Sequence, residues 1–333
     1  MKAFILAAGF GTRLWPLTED RTKASIPFLN RPLIAYSVEY LASHGFRDII
    51  INLHHQPDSI RQAVGDGSNL GVSISYALEE EILGTAGALD PFRESLSGDD
   101  FVVINGKIVT NIDLGAAVAA HRQQGALATL VLKENGRREH FSIVEVGERR
   151  RITRFAGFPE PAASGITAEV SSGPGFVAAP EHPPLMFTGI QILSPRIFEY
   201  IPRGRFSHST IDVYPQAIAR GEVLIGHVTT GDWFELSTLG RYLEASLRFM
   251  HDKRLSVIQG HECVIQEAAS VEDSVLWDRV VVERDAHVRQ AVLGDNVRIP
   301  AGSMIEKAVV VRRNSLRSVE RGEVAGDNLI VPI

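Results

Sequence analysis

The sequence predicts an α/β protein: a mainly parallel sheet with helices on both faces, followed by a C-terminal parallel β-helix. Strand-like and helix-like segments alternate through the first 250 residues, which is typical of such a sheet. Beyond about residue 257 no long helix is predicted, and apolar residues instead recur six positions apart. The chain of 333 residues therefore divides into two predicted domains, 1–250 and 257–333.

The alternation begins with a buried strand and continues with strands and helices in turn. Strands are predicted over Ala3 to Leu6, Ile49 to Leu53, Val72 to Tyr76, Phe101 to Ile104 and Leu127 to Leu132. Helices are predicted over Pro32 to Ser43, with Pro32 in the first turn, over Asp58 to Val64, and from Asp113 through His121. Asp113 is interpreted as a helix cap rather than a catalytic acid. The stretch from Pro159 to Pro184, rich in Ala, Ser, Gly and Pro, is predicted to be a loop.

The apolar spacing near the C-terminus predicts the β-helix. Val282 and Val288 are six apart, as are Ile299 and Ile305, with small or turn-forming residues between them. A six-residue period indicates coils that are stable only when they stack on their neighbours. The interval of 11 residues from Val288 to Ile299 breaks this period, so an irregular β tail stays open as the alternative.

Composition and charge exclude several classes of function. Hydrophobic residues make up 44% of the chain and charged residues 22%, as in a globular protein rather than a disordered one. The net charge is -6, and without a long basic run we expect no nucleic-acid partner. No apolar stretch approaches the roughly 20 residues of a membrane helix, so we expect a cytoplasmic protein without a membrane partner. The single cysteine, Cys263, excludes an internal disulfide and a cysteine-cluster zinc site.

The segment from Leu6 to Thr18, followed by Lys23, holds the main candidates for chemistry. Gly9 and Gly11 allow the backbone to approach a ligand closely and to point N–H groups at phosphate oxygens. Arg13 and Lys23 supply positive charge for a polyphosphate. The segment is neither a dinucleotide fingerprint nor a Walker loop, because it lacks a third glycine and a Gly-Lys-Ser/Thr sequence. A strand, a glycine turn and a solvated arginine stay open as the alternative.

This segment resembles the signature of nucleotide-sugar pyrophosphorylases, which join a sugar 1-phosphate to a nucleoside triphosphate and release pyrophosphate. Further segments resemble that family in order and spacing: Asn30 to Ile34, Glu79 to Gly87, Phe187 to Leu193, Gly231 to Glu235 and Tyr242 to Ala245. The C-terminal repeats resemble the left-handed β-helix that some members carry. Among the subgroups of this family, the sequence resembles the mannose-1-phosphate guanylyltransferases. The resemblance implies a Rossmann-like nucleotidyltransferase domain and spans nearly the whole chain.

The resemblance also implies roles for individual residues. Nucleotide binding is implied for Leu6, Ala8, Gly9, Gly11, Thr12, Glu81, Gly84 and Asn105. Contact with the base is assigned to Glu81 rather than Glu80, and catalysis to Arg13 and Lys23. Ser142 and Gly189 are expected on the sugar-phosphate side. The implied reaction is in-line attack by the sugar phosphate on the α-phosphorus, which needs positioning and charge neutralisation more than a strong base.

The sequence departs from the family pattern where metal and sugar phosphate would bind. The family implies Mg²⁺ held by two aspartates, but the first position is Lys107 and the second is Glu235, followed by Ser237. The Glu-Lys-Pro motif for the sugar phosphate aligns with Gly157 to Pro159, and a Tyr-Gly pair aligns with Phe141 and Ser142. Because a lysine in place of an aspartate removes an oxygen ligand and adds positive charge, ordinary two-carboxylate magnesium binding is not expected.

Lys107 therefore has two interpretations. In the first it is a catalytic residue whose ammonium group replaces part of the metal's charge against the phosphates. In the second the site is inactive, and the lysine points to solvent or pairs with Glu235. Three histidines, His54, His55 and His140, are interpreted as surface or strand-end residues rather than metal ligands, because no acidic residue stands at a ligand spacing from them.

The predicted function is that of a sugar-1-phosphate nucleotidyltransferase, which converts a nucleoside triphosphate and a sugar 1-phosphate to a nucleotide sugar and pyrophosphate. Two alternatives stay open: an impaired paralogue that binds nucleotide sugar as a sensor or regulatory subunit, and a structural role of the β-helix. The expected partners are a nucleoside triphosphate, a sugar 1-phosphate or nucleotide sugar, and a second copy or an active paralogue. The sequence does not determine the base, because a preference for guanine follows from the resemblance alone and not from a set of donors and acceptors. It does not determine the sugar, because the residues that would bind the sugar differ from the family pattern.

Overall fold

The computed structural model describes residues 1–139, 141–155 and 183–333. The chain forms two compact units, each assembled from separated stretches of sequence. The first unit comprises Met1–Phe4, Ile82–Ile104 and Ile112–Gly231, and the second comprises Ile5–Glu81, Asn105–Asn111 and Asp232–Ile333. The domain boundary expected between residues 250 and 257 stays a prediction. The loop predicted from Pro159 to Pro184 lies, except for its last two residues, outside the described part of the chain.

Helices and strands alternate through the N-terminal 250 residues. The α-helices are Leu33–Ser43 (α1), Pro57–Val64 (α2), Gly84–Gly87 (α3), Arg93–Leu96 (α4), Leu114–Gln124 (α5), Tyr214–Ala219 (α6) and Leu239–Asp252 (α7). The strands of this part are Ala3–Leu6 (β1), Pro27–Phe28 (β2), Arg31–Pro32 (β3), Asp48–Leu53 (β4), Ser73–Leu78 (β5), Phe101–Asn105 (β6), Ile108–Thr110 (β7), Ala128–Glu134 (β8), Ile143–Val146 (β9), Ile152–Phe155 (β10), Leu185–Leu193 (β11), Leu224–Val228 (β12) and Trp233–Glu235 (β13).

The predicted elements of this part are confirmed to within three residues at each end. The helix expected from Pro32 begins at Leu33, because Pro32 itself lies in the short strand β3. Helix α5 starts directly after Asp113, whose Oδ1 accepts a hydrogen bond from the Ala116 N–H at 3.0 Å. The predicted capping role of Asp113 is thereby confirmed, although the helix continues to Gln124.

Each unit contains both parallel and antiparallel strand pairs. In the first unit β11 runs antiparallel to β6, β8 and β9, and β12 runs parallel to β8. In the second unit β4 runs parallel to β5, and its apolar side chains are almost completely buried, as expected for a parallel strand covered on both faces. The α/β class is confirmed, and the reversal of β11 makes the sheet mixed.

The C-terminal part of the second unit is a parallel β-helix. Its strands are Val257–Gln259 (β14), Val264–Ile265 (β15), Ser270–Glu272 (β16), Ser274–Leu276 (β17), Val281–Val282 (β18), His287–Arg289 (β19), Val292–Leu293 (β20), Arg298–Ile299 (β21), Met304–Glu306 (β22), Ala308–Arg312 (β23), Glu323–Ala325 (β24) and Asn328–Pro332 (β25). Three ladders of parallel strands stack coil upon coil, and β23, β25 and β24 end the domain as an antiparallel group.

The coil length explains the interrupted apolar period. Val264, Val281 and Arg298 are partners in successive coils and lie 17 positions apart. Within one coil two buried positions are six residues apart, so 11 residues separate the second of them from the next coil. All four residues that predicted the β-helix lie in its buried core: Val282, Val288, Ile299 and Ile305. The β-helix is therefore confirmed, and the irregular tail is wrong.

The β-helix shares one hydrophobic core with the segment that follows β1. Leu14, Trp15 and Leu17 are buried in the same cluster as Val275 and Trp277 of the β-helix. Burying a side chain of this size contributes roughly 1.5–3 kcal/mol. The conformation of the glycine-containing segment therefore depends on residues more than 250 positions away.

Polar contacts add to this apolar packing. The Arg21 guanidinium donates to Asp295 at 2.7 Å and lies 5.1 Å from the centre of the Trp277 ring. Arg321 donates to the backbone carbonyl of Trp15 at 2.9 Å. These contacts fix the chain on the C-terminal side of the glycine turn.

In the part of the chain that the structure describes, no helix is both long and apolar enough to cross a membrane.

Candidate functional site

The candidate site begins where β1 ends, at Leu6. The Gly106 N–H, just after β6, donates to the Leu6 carbonyl at 2.9 Å and draws the two strand ends together. A Cβ atom at Gly106 would lie 3.0 Å from Ile5 and 3.1 Å from Ile34, closer than side chains normally pack. Close packing therefore requires a glycine at position 106. The hydrogen bond from Gly106 to Leu6 brings the next residue, Lys107, beside the end of β1.

A buried chain of hydrogen bonds holds the next residue in place. The Ala7 N–H donates to Asn52 Oδ1 at 2.6 Å, and Asn52 Nδ2 donates to Glu79 Oε1 at 2.7 Å. Asn52 and Glu79 stand at or just after the ends of the parallel strands β4 and β5, and both are buried. An amide with one acceptor and one donor group engaged in this way fixes the direction of the backbone at Ala7.

The two glycines of the segment differ in their structural roles. Gly11 adopts φ 76° and ψ 20°, the left-handed conformation that disfavours other residues, and a Cβ there would lie 2.9 Å from the Lys23 Cβ. Gly9 lies outside that conformation, and a Cβ there would meet no atom within 4 Å. The fold therefore requires glycine at position 11, whereas position 9 stays open for a ligand.

Lys23 lies against this turn and in a cationic environment. It begins a short 3-10 helix, Lys23–Ser25, which the Thr22 side chain caps by accepting the Ala24 N–H at 3.0 Å. Burial, together with the nearby charges of Lys107 and Arg13, lowers the pKa of Lys23 to about 7. The positive charges at this end of β1 thus repel one another, which favours the binding of an anion.

Lys107 and Glu235 meet because two short strands pair. Strand β7 runs antiparallel to β13 with Ile108 opposite Glu235, and the Leu236 N–H donates to the Lys107 carbonyl at 3.0 Å. This register brings the Lys107 ammonium into a hydrogen-bonded ion pair with Glu235 Oε1. The Lys107 side chain is 27% exposed and that of Glu235 only 7%.

Both oxygens of the Glu235 carboxylate have donors. Lys107 binds Oε1, Ser237 donates to Oε2 at 2.6 Å, and Arg241 Nη1 lies 3.6 Å from Oε2. Burial alone raises the pKa of Glu235, but Lys107, Ser237 and Lys23 outweigh it and hold the pKa below its ordinary value. Glu235 is therefore an ionised carboxylate surrounded by cations and hydroxyl donors.

These residues do not fit a magnesium site. Mg²⁺ requires oxygen ligands in octahedral geometry, whereas Lys107 occupies the neighbourhood of the carboxylate with a fixed positive charge. Two unit charges about 4 Å apart interact by about 4 kcal/mol at an effective dielectric constant of 20. Within the described ranges, no group of three His, Cys, Asp or Glu side chains is arranged to hold a metal ion.

The predicted site residues fall in both units. The second unit contains most of them: Leu6, Ala8, Gly9, Gly11, Thr12, Arg13, Lys23, Glu81, Asn105, Lys107 and Glu235. The first unit contains Gly84, Ser142 and Gly189. Lys107 and Glu235 are in direct contact, and Lys23 packs against Gly11. Of the three consecutive glutamates Glu79 is buried and its two successors are exposed, so contact of Glu81 with a base stays a prediction.

In the first unit two of these residues have clear backbone roles. Gly84 has φ 79°, and a Cβ there would lie 2.5 Å from the Ser207 carbonyl, which accepts hydrogen bonds from the Ala86 and Gly87 N–H groups. Gly189 has φ 81° and lies where the pairing of β11 with β8 is interrupted. These glycines shape the backbone, while Ser142 is exposed.

The histidines singled out from the sequence belong to an aromatic group. His54 donates from Nδ1 to the Glu79 carbonyl at 2.9 Å. Both His54 and His55 contact the half-exposed Phe10 ring at about 5.5 Å between centroids. His140 and the Gly157 to Pro159 segment lie outside the described residues.

Most of the chain matches a known protein family. Residues 2–251 match the family model described as nucleotidyl transferase, which is three quarters of the chain. The chain belongs to the nucleotidyl transferase family. Residues 251–325 match a second family model, described as the GlmU-like C-terminal hexapeptide, in agreement with the β-helix. The resemblance inferred from the signature segment is confirmed.

Individual relatives in this family act on different nucleotides. The chain is 28% identical to the UTP–glucose-1-phosphate uridylyltransferase of Synechocystis, over 93% of this chain and 80% of that protein. It is also 28% identical to the mannose-1-phosphate guanylyltransferase of Mycobacterium tuberculosis, over 92% of this chain and 83% of that protein. A solved chain from Bacillus anthracis, assigned as a glucose-1-phosphate thymidylyltransferase and crystallised with sucrose, matches with a TM-score of 0.62. It is 25% identical and covers 76% of this chain and 96% of its own.

No individual role was assigned from the sequence to three residues of the site. Asn52 and Glu79 fix the backbone at Ala7, and Arg241 is a further cation beside Glu235. A signal for the first two exists, since each stands at the carboxyl end of a predicted parallel strand, where ligand-binding residues gather. Arg241 lies in the first turn of α7 with no motif of its own, so only the structure identifies it.

Proposed function

We propose that this nucleotidyl transferase joins a nucleoside triphosphate to a sugar 1-phosphate and releases pyrophosphate. The observation that supports this most directly is the cluster of Lys23, Lys107 and Arg13 at the end of β1, next to a glycine that the fold leaves open. A triphosphate carries up to four negative charges, and lysine and arginine are the side chains that bind phosphate groups. The relatives named above carry out reactions of this class on three different bases.

The reaction requires no proton transfer by the protein. An oxygen of the sugar phosphate, already ionised at neutral pH, forms a bond to the α-phosphorus of the triphosphate. The bond from the α-phosphorus to the oxygen that bridges to the β-phosphorus breaks, and its electron pair leaves with pyrophosphate. The protein therefore acts by positioning the two substrates in line and by balancing negative charge.

Roles for the chain's own residues follow from these requirements. We assign nucleotide binding to the backbone from Leu6 to Gly11, which Asn52 holds at Ala7, and contact with the base to Glu81. Arg13 and Lys23 bind the phosphates, Arg13 as a fork with two donors and Lys23 as a point charge. Gly84, Ser142 and Gly189 keep the roles that the resemblance implies, as part of this proposal.

The test is pyrophosphate release by the purified protein. GTP, UTP, ATP, CTP and dTTP are each combined with glucose 1-phosphate, mannose 1-phosphate and related sugar phosphates. We expect release with at least one pair, and a loss of about 100-fold in the Arg13→Ala variant, because one charge-stabilising contact in a transition state is removed. Arg248→Ala, an exposed arginine of α7, is the matched control and retains the wild-type rate.

Two results would contradict the proposal in different ways. Undiminished release by Arg13→Ala removes Arg13 from the mechanism while leaving the reaction intact. Saturable binding of a nucleotide sugar without turnover for any substrate pair replaces the enzyme by a sensor or regulatory subunit.

A further inference from the structure

We infer that Lys107 supplies to the bound triphosphate the positive charge that the family resemblance assigns to Mg²⁺, so that this protein binds its nucleotide without metal. The inference rests on the proposed function, because it concerns the same nucleotide site. Three features carry it: the fixed position of the lysine, the surplus of positive charge around Glu235, and the occupation of both carboxylate oxygens.

The lysine is held in place at both ends. Its backbone carbonyl accepts the Leu236 N–H at 3.0 Å, and the pairing of β7 with β13 places Ile108 opposite Glu235. Its ammonium group is bound to Glu235 Oε1, and the lysine side chain is only 27% exposed. An ammonium group has three N–H donors, and this contact uses one. A preorganised cation of this kind needs little rearrangement to accept phosphate oxygens.

The cluster around Glu235 carries more positive than negative charge. Lys107 and Arg241 lie within ion-pair distance of the carboxylate. Lys23 is close enough to act on it, and Arg13 acts on Lys23 in turn. One carboxylate therefore faces a group of cations, and an anionic phosphate is the species that balances the remainder.

Glu235 is positioned to hold Lys107 rather than a metal ion. A divalent cation would compete with the Lys107 ammonium at Oε1 and with the Ser237 hydroxyl at Oε2, and it would be repelled by the ammonium charge beside it. The structure thus does not fit the Mg²⁺ site that the family resemblance implies. The evidence is the pair of contacts that Glu235 makes with Lys107 and Ser237, in addition to the replacement of an aspartate by a lysine.

The experiment measures binding separately from turnover. Isothermal titration calorimetry follows GTP, UTP and inorganic pyrophosphate binding to the whole protein, once in excess EDTA and once in Mg²⁺. For the wild type we expect dissociation constants that agree within about threefold between the two conditions. In EDTA, Lys107→Met weakens binding by about tenfold or more, because a charged phosphate contact is lost, and Lys107→Arg stays within about threefold of the wild type.

A reciprocal variant and a control complete the design. Lys107→Asp places two carboxylates where the family pattern has them, so its binding becomes dependent on Mg²⁺ by about tenfold or more. Direct titration with Mn²⁺, followed by its electron paramagnetic resonance signal, detects metal binding by Lys107→Asp and none by the wild type. Lys253→Met, which removes an exposed lysine after α7, binds as the wild type does. Thermal melting confirms that every variant is folded.

The outcomes separate this inference from the proposed function. Wild-type binding that is lost in EDTA, binding by Lys107→Met equal to the wild type, or no binding at all overturns the inference. Pyrophosphate release that strictly requires Mg²⁺ and ignores Lys107 keeps the proposed function and overturns the inference. Metal-free binding that depends on Lys107, without turnover of any substrate pair, supports this inference and contradicts the proposed function.

Discussion

The glycine segment after β1 and the Lys107–Glu235 pair are parts of one unit, but they differ in how they follow the family pattern. The glycine segment keeps its signature, and the structure shows why at Gly11: the backbone is left-handed and Lys23 lies 2.9 Å from where a Cβ would be. At Lys107 the expected residue is replaced by one of opposite charge, and the neighbouring carboxylate accommodates it.

The difference shows which kind of position tolerates change. A residue that sets the path of the backbone is constrained by atoms on several sides, so substitution there costs folding energy. A charged side chain in a turn between two strands, such as Lys107, only needs a neighbour of opposite charge. The chemistry of the site can therefore change while the fold that carries it stays the same.

The largest effect is expected from removing the partner of Lys107. Glu235→Gln keeps the shape but removes the carboxylate charge with which the Lys107 ammonium is paired, which lowers the free energy of unfolding by about 3 kcal/mol. This loss is at the lower end of the range for breaking a buried ion pair, because Lys107 is partly exposed. Urea unfolding measures the loss. Glu306→Gln, which breaks an exposed pair in the β-helix, is the control and causes no comparable loss.

A smaller effect is expected on the other side of the site, at Asn52. Asn52→Ala removes the acceptor of the buried Ala7 N–H and a donor to the buried Glu79 carboxylate. We expect a loss of about 2 kcal/mol in urea unfolding, together with weaker nucleotide binding in calorimetry. Asn314→Ala, at an exposed position, changes neither quantity. Unchanged nucleotide affinity would show that this hydrogen-bond chain serves stability alone.

The two glycines allow stability and binding to be separated within one segment. Gly11→Ala is strained and loses about 1.5 kcal/mol of stability. Gly9→Ala leaves the melting temperature within about 1 °C, because the added methyl group meets no neighbour, but it weakens nucleotide binding by about tenfold. Equal binding by Gly9→Ala and the wild type would show that no ligand approaches the backbone there.

The smallest effect concerns pH. Lys23 has a pKa of about 7 in the folded protein, below its ordinary value of 10.5, because of burial and the nearby charges of Lys107 and Arg13. Between these two values the unfolded chain binds more protons, so through this group stability rises with pH from 7 towards 10. Lys23→Met removes this contribution, and its melting temperature should exceed that of the wild type by about 2 °C at pH 7.5. A parallel pH dependence of wild type and variant would contradict the assignment.

The fold was largely predictable because its signals are local. Apolar runs such as Ala3 to Leu6 and the cap at Asp113 act over a few residues, and the six-residue period of the β-helix lies within one coil. The reversal of β11 was not predictable, since strand direction is set by pairing with distant strands and leaves no trace in periodicity.

The candidate site was predictable in its residues but less so in its contacts. The signature identified the glycines, Arg13 and Lys23, and the change to Lys107 was evident from the resemblance. Pairing of Lys107 with Glu235 was only one of the outcomes considered, because it joins residues 128 positions apart through a strand register. The Asn52 to Glu79 contact is of the same kind.

The shared core of the glycine segment and the β-helix has a consequence for the newborn chain. Leu14, Trp15 and Leu17 leave the ribosome early, but Val275 and Trp277, against which they pack, are made near the end. At about 5–20 residues per second this leaves an interval on the order of half a minute. During synthesis the turn at Gly11 therefore stays incompletely packed until the last coils are made, and a chain that stops early never completes this core.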